Sequence, residues 1–100
     1  MRNREKKLNG GWVEGSVQDF LSLSDADMEY IETKRALSAV LKVVREKRNL
    51  TQVQLAGKLK TSQSRVAKME KGDPSVSIDL LMYTLFRLGV PRSRVLRLVA

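Results

Sequence analysis

Apolar residues recur every three or four positions along most of this chain, and no stretch alternates with period two, so the pattern predicts helices and no strands. Ile31, Leu37, Val40, Leu41 and Val44 predict a long helix over residues 24–48, with a weak stretch at residues 32–35. Ser24 suits its N-cap, and Asp25 and Asp27 its first turn, where carboxylates meet the positive end of the helix dipole. Arg45, Lys47 and Arg48 suit its last turn, and Asn49 tolerates the left-handed conformation that ends helices. Leu55, Ala56 and Leu59 predict a second helix entered through Thr51 and Gln54, the two ends of a capping box. Val66 and Met69 form the narrow stripe of a third, opened by Ser62 and stopped by Gly72, Asp73 and Pro74. Ile78, Leu81, Leu85 and Leu88 predict a fourth between Ser77 and Gly89. Val95, Leu96 and Val99 predict a short fifth, with Pro91 in its first turn. Ahead of Ser24 the glycines at 10, 11 and 15 predict a polar tail over residues 1–16, in which Trp12 is the single Trp. Residues 17–23 add a short helical turn with Phe20 and Leu21 on one side.

A chain of 100 residues holds one domain and a tail. The expected division is a tail and partner-docking segment over 1–23 and a helical domain over 24–100. Cysteine and histidine are both absent, which removes disulfides, zinc sites of the Cys/His kind and Ser-His-Asp or Cys-His triads. Asp25, Asp27, Glu29 and Glu32 read as a solvated first turn rather than a metal or acid–base cluster. No glycine-rich phosphate loop is present. The chain is therefore expected to be no enzyme and to use no metal or cofactor. No apolar run approaches the ~20 residues that cross a bilayer, and the basic start, residues 1–7, leads into no apolar stretch of a signal peptide. The expected location is cytoplasmic, away from membranes.

The net charge of +8 is unevenly spread. Residues 1–33 carry four Lys/Arg against seven Asp/Glu, net −3, and residues 34–100 carry fifteen against four, net +11. The positive field of the last two-thirds of the chain is either the footprint of a protein that meets a polyanion or an ordinary solvated basic surface, and charge alone does not choose between them.

Chemistry concentrates in residues 51–71. The second and third helices are separated by about two residues, Lys60 and Thr61, and the small Ala56 and Gly57 are expected to let them pack at a steep angle. Opposite Val66 and Met69, the third helix shows Ser64, Ala67, Lys68 and Lys71, flanked by Gln63 and Arg65. Gln pairs with adenine, and Arg or Lys with guanine, through the DNA major groove. The amides that open the two helices, at Gln52 and Gln63, suit phosphates.

These residues carry a resemblance. From about Ala36 to Gly89 the chain resembles the Cro/repressor-type helix-turn-helix family, often called XRE. The matching stretches are residues 45–52, Leu55-Ala56, residues 62–72 and residues 77–89. The resemblance implies an all-α, five-helix, lambda-repressor-like domain, here with an N-terminal extension that lengthens the first helix. It implies a recognition helix beginning at Ser62, and base or phosphate contacts by Gln63, Ser64, Arg65 and Lys68, to which the residue pattern adds Lys71. It implies that Gln52 holds a phosphate and braces Gln63, and that Arg45 pairs with Glu70 as a structural element. Two departures stand out. Lys60 occupies a turn position that is commonly Gly, and residues 82–86 (Met-Tyr-Thr-Leu-Phe) are bulkier than the small-residue pattern usual in the fourth helix.

A single module makes few base contacts, so a homodimer on a palindromic double-stranded operator is expected. Met82, Phe86 and Val90 are either core or the face of that dimer, with the fifth helix adjoining. The extension, the recognition helix and the loop over residues 72–77 resemble HigA-like antitoxins. That likeness implies a RelE-like ribonuclease toxin as partner and repression of the protein's own operon. Trp12, Phe20 and Leu21 on the acidic N-terminal third either cap the core or cover such a toxin. A stand-alone repressor of phage or prophage type, without a toxin, is the alternative.

Overall fold

The computed structural model describes the backbone of residues 12–100 and the side chains of residues 24–100. Among these residues five α-helices follow one another: α1 (Trp12–Lys47), α2 (Gln52–Leu59), α3 (Gln63–Lys71), α4 (Ile78–Arg87) and α5 (Arg92–Val99). No strand occurs among the described residues. The all-α, five-helix architecture with a lengthened first helix stands as expected. The chain divides into two compact units, Met1–Ile31 and Glu32–Ala100, and among the described residues the hydrophobic core lies in the second.

The start of α1 corrects one expectation. The helix begins at Trp12 and runs through Ser24, which is therefore no N-cap. Gly15 and Ser16 lie inside the helix rather than in a tail. A glycine costs a helix interior only about 1 kcal/mol relative to alanine, and the neighbouring Glu14, Gln18 and Leu21 are good helix formers. Trp12, Phe20 and Leu21, expected to dock a partner, lie outside the residues whose side chains are described.

The remaining boundaries follow local chemistry. At the end of α1 the amides of Arg48, Asn49 and Leu50 bond back to Val44, Arg45 and Glu46 carbonyls, and Asn49 takes φ 58°. Thr51 and Gln54 close the capping box in both directions, at 3.0 and 2.8 Å. The hydroxyl of Ser62 accepts the amide of Arg65 at 3.1 Å, and that of Ser77 the amide of Leu80 at 3.1 Å. Pro91 sits one place earlier than expected, at the N-cap of α5, where its extended backbone (ψ 154°) leads into the helix without a side-chain cap.

The core of the second unit gathers Leu37, Leu41 and Val44 of α1, Leu55 and Leu59 of α2, and Val66 and Met69 of α3. Leu81 and Leu85 of α4 and Val95 of α5 complete it. Ile31, expected on the same stripe, is 44% exposed beside the exposed Met28 and Tyr30. The packed stripe of α1 starts only after the polar stretch at residues 32–35. The bulk of residues 82–86 is accommodated by rotation. The small Thr84 is buried, its hydroxyl 3.7 Å from the Met69 sulfur, while Tyr83 and Phe86 turn outward. Between α1 and α5 runs an apolar groove of 360 Å³, walled by Val40, Val43 and Leu98 with Lys47 and Arg94 among its lining.

Candidate nucleic-acid interface

The turn between α2 and α3 is built on a strained lysine. Lys60 closes α2 in the left-handed region (φ 58°, ψ 47°), which lets the Thr61 amide return to the Ala56 carbonyl at 2.9 Å. A non-glycine residue there costs on the order of 1 kcal/mol. The expectation that Ala56 and Gly57 together permit the close packing of the two helices is half corrected. Ala56 is buried, but a Cβ at Gly57 would meet nothing within 4 Å. Gly57 faces open space because one residue along a helix rotates the side chain by about 100°.

α3 carries the expected face. Gln63, Ser64, Arg65, Lys68 and Lys71 are all exposed, Ala67 is half-buried, and Val66 and Met69 are sealed beneath. Ser62 is exposed too, but its hydroxyl is engaged in capping. The one acid of the helix, Glu70, points inward, with its side chain 4% exposed. The outward face is thus free of negative charge.

Glu70 anchors a chain of hydrogen bonds that reaches the surface. Arg45 of α1 grips its carboxylate with Nε at 2.6 Å and a terminal nitrogen at 3.0 Å, and gives its other terminal nitrogen to the Leu50 carbonyl at 2.8 Å. The carboxylate in turn holds the Arg45 guanidinium more firmly charged than usual, chiefly through that hydrogen bond. Gln52 Nε2 donates to Glu70 at 3.1 Å, and Gln63 Nε2 donates to Gln52 Oε1 at 2.7 Å. The direction of this chain is chemically determined. An ionised carboxylate only accepts, so Gln52 must turn its amide nitrogen toward Glu70 and its oxygen toward Gln63. Gln63 must then donate, which leaves its oxygen and one N–H uncommitted. The brace expected of Gln52 and the pairing expected of Arg45 with Glu70 are parts of this one chain.

Two contacts at the ends of the motif were not foreseen from sequence. The Lys34 ammonium of α1 donates to the Asp73 carbonyl just beyond α3 at 2.8 Å. A terminal nitrogen of Arg87 on α4 lies 3.4 Å from the Leu59 carbonyl at the end of α2. Both join residues 28 or more apart, beyond the reach of any local pattern. Asp73 itself folds onto Ser75, whose amide and hydroxyl donate to its carboxylate at 2.9 and 2.6 Å. Those bonds, the hydroxyl's above all, hold the Asp73 carboxyl below its ordinary value of 3.8.

The residues read as either core or dimer face divide between buried and exposed positions. Val90 is 4% exposed and belongs to the core, Met82 is half-buried against it, and Phe86 is exposed next to Tyr83. No group of acidic residues among those described is arranged to hold a metal ion. No helix of the described residues is long and apolar enough to cross a membrane.

Comparison with known families agrees with this geometry. Residues 41–82 match the family model described as helix-turn-helix, a stretch that covers α2, α3 and their neighbours and somewhat less than half of the chain. The match supports the XRE-type helix-turn-helix family, whose members are DNA-binding regulators. No curated protein and no solved structure matches the chain.

Proposed function

We propose that this protein is a sequence-specific DNA-binding transcription regulator that inserts the exposed face of α3 into the major groove. The observation that carries the proposal is the directed chain from Arg45 through Glu70 and Gln52 to Gln63. It presents one acceptor and one donor on an exposed amide, the pair that adenine N6 and N7 require. Arg65 at the same end of the helix suits guanine O6 and N7. Ser64 is small enough for close approach, and Lys68 and Lys71 suit phosphates further along. Gln52 keeps one N–H for a backbone phosphate near the start of α2.

A single helix of nine residues reads few base pairs, so the functional species in this reading is a two-fold dimer. Its half-sites lie about 34 Å apart, one turn of the duplex. Selection of bound sequences from a random DNA pool at physiological salt tests both statements together. A palindromic consensus with that spacing is expected, and recovery of an unbiased pool would overturn the reading. Affinity should also fall linearly on a log–log plot against salt, because phosphate contacts release counterions.

We further propose that the regulator is the antitoxin of a toxin–antitoxin pair and represses its own operon. The support is the likeness of the extension, recognition helix and loop to HigA-like antitoxins, together with the net charge of −3 and the apolar residues of the N-terminal third. Such a segment suits the covering of a basic, RelE-like ribonuclease. A toxin-sized reading frame beside the gene, whose product co-purifies with the chain, is the expected finding. A Trp12→Ala, Phe20→Ala double variant that binds that product unchanged would remove the docking assignment. Absence of any such neighbour favours the stand-alone repressor.

A further inference from the structure

The polar chain described above secures α3 from its buried side. The helix has a second seat, at its C-terminal end, and that seat lies on α1. The αL residue Gly72 (φ 70°) ends α3 by returning its amide, and that of Asp73, to the Lys68 and Met69 carbonyls. Beyond it, the Asp73 carbonyl accepts the Val76 amide at 2.9 Å and the Lys34 ammonium at 2.8 Å, which uses both lone pairs. One turn along α1 from Lys34, the side chain of Ser38 lies against Gly72, so that a Cβ at that glycine would come within 3.3 Å of the Ser38 oxygen. Ser38 is 2% exposed, and its hydroxyl has no hydrogen-bond partner among the described residues. Its place is therefore explained by its size. A larger side chain would displace Gly72.

Lys34 is half-buried on a protein whose exposed cations are expected to meet phosphate. Its geometry assigns it another task. The ammonium stands at the negative end of the α3 dipole, where a cation is favoured, and it ties a loop that carries no regular structure of its own. The same loop delivers Val76, 1% exposed, into the core. Together Lys34 and Ser38 fix where α3 ends relative to α1, and therefore where Lys68 and Lys71 stand.

We propose that Lys34 is a positioning residue for DNA recognition. It acts through the Asp73 carbonyl to hold the C-terminal end of the recognition helix, and it does not itself bind phosphate. The proposal rests on the DNA-binding reading above, and a DNA-independent measurement keeps the two separable.

The test compares Lys34→Met, Lys34→Gln and Lys34→Arg with the unaltered full-length chain. Amide hydrogen exchange is measured on the free protein, and binding to a selected and a random duplex is measured across a salt series. For Lys34→Met we expect exchange at Asp73 and Val76 to quicken at least about threefold against an unchanged core. We expect affinity for the selected duplex to fall about three- to tenfold, affinity for random DNA to stay within about twofold, and the salt slope to be preserved. Lys34→Arg, which keeps the cationic donor, should recover most of the loss. Lys34→Gln takes the place of Lys34→Met if the latter does not fold. A salt slope reduced by about one, with both affinities falling together, would mark Lys34 as a phosphate ligand and overturn the proposal. Unchanged exchange over residues 73–76 would overturn it as well. If the unaltered protein prefers no DNA sequence, the functional reading fails, and the exchange result alone decides whether the seat exists.

Discussion

α3 and α5 are alike in composition and differ in how they are held. They are nine and eight residues long, and each carries three cations: Arg65, Lys68 and Lys71 on one, Arg92, Arg94 and Arg97 on the other. Each buries a narrow stripe, Val66 with Met69 or Val95 with the half-buried Val99. α3 is capped by the Ser62 hydroxyl, closed by Gly72 and bonded through Gln63 and Glu70 to α2 and α1. α5 starts after Pro91 without a side-chain cap, and among the described residues the side chains of its arginines have no hydrogen bond or ion pair. Leu96 and Leu98 remain about half exposed. Positive charge is common to both helices and attracts DNA of any sequence. Preorganisation belongs to α3 alone, and base reading needs side chains whose donors and acceptors already point one way.

The largest expected effect comes from cutting the α3 network at its root. Arg45→Ala leaves the Glu70 carboxylate, 4% exposed, without its cation. Loss of one partner of a largely buried pair costs about 3 kcal/mol, to be read from urea unfolding. The discrimination between selected and random DNA should fall with it. Arg65→Ala should cost about 1–3 kcal/mol in binding and relax the preference at one base pair. Its counterpart, Arg94→Ala, should leave the ranking of DNA sequences unaltered. A changed consensus for Arg94→Ala in the same selection would end the distinction between the helices. Lys60→Gly relieves the left-handed backbone and should stabilise the fold by about 1 kcal/mol. Gly57→Ala adds a methyl into open space within a helix and should stabilise by about 0.8 kcal/mol. If either of these two raises the melting temperature yet weakens DNA binding, the turn and the outer side of α2 join α3 in the interface.

Much of the fold was legible because it is local. Thr51 with Gln54, Ser62, Ser77, Gly72 and Asn49 each act within four residues, where the spacing of a cap or a left-handed turn can be read directly. Lys60 was legible as a turn position for the same reason. The misreadings share a different cause. Ser24 has the composition of an N-cap, but a cap forms only where the chain stops being helical, and α1 continues to Trp12. Ile31 has the right period for the core but is 44% exposed, ahead of the packed stripe that starts at Leu37. Gly57 is small for no packing reason that the neighbouring helices supply.

The sequence by itself determined the helical stripes, the caps of α2, α3 and α4, an acid-free exposed face on α3 and the absence of the residues that histidine- or cysteine-based chemistry needs. Those properties depend on period, local hydrogen bonding and composition. Tertiary structure alone decided the direction of the Gln63 amide, set by Gln52 of α2 and Arg45 of α1 around Glu70 of its own helix. It alone brought Lys34 to Asp73, 39 residues away. An amide's orientation and a lysine's partner are fixed by whatever lies opposite them in space, and only the packing of α1 and α2 against α3 specifies that.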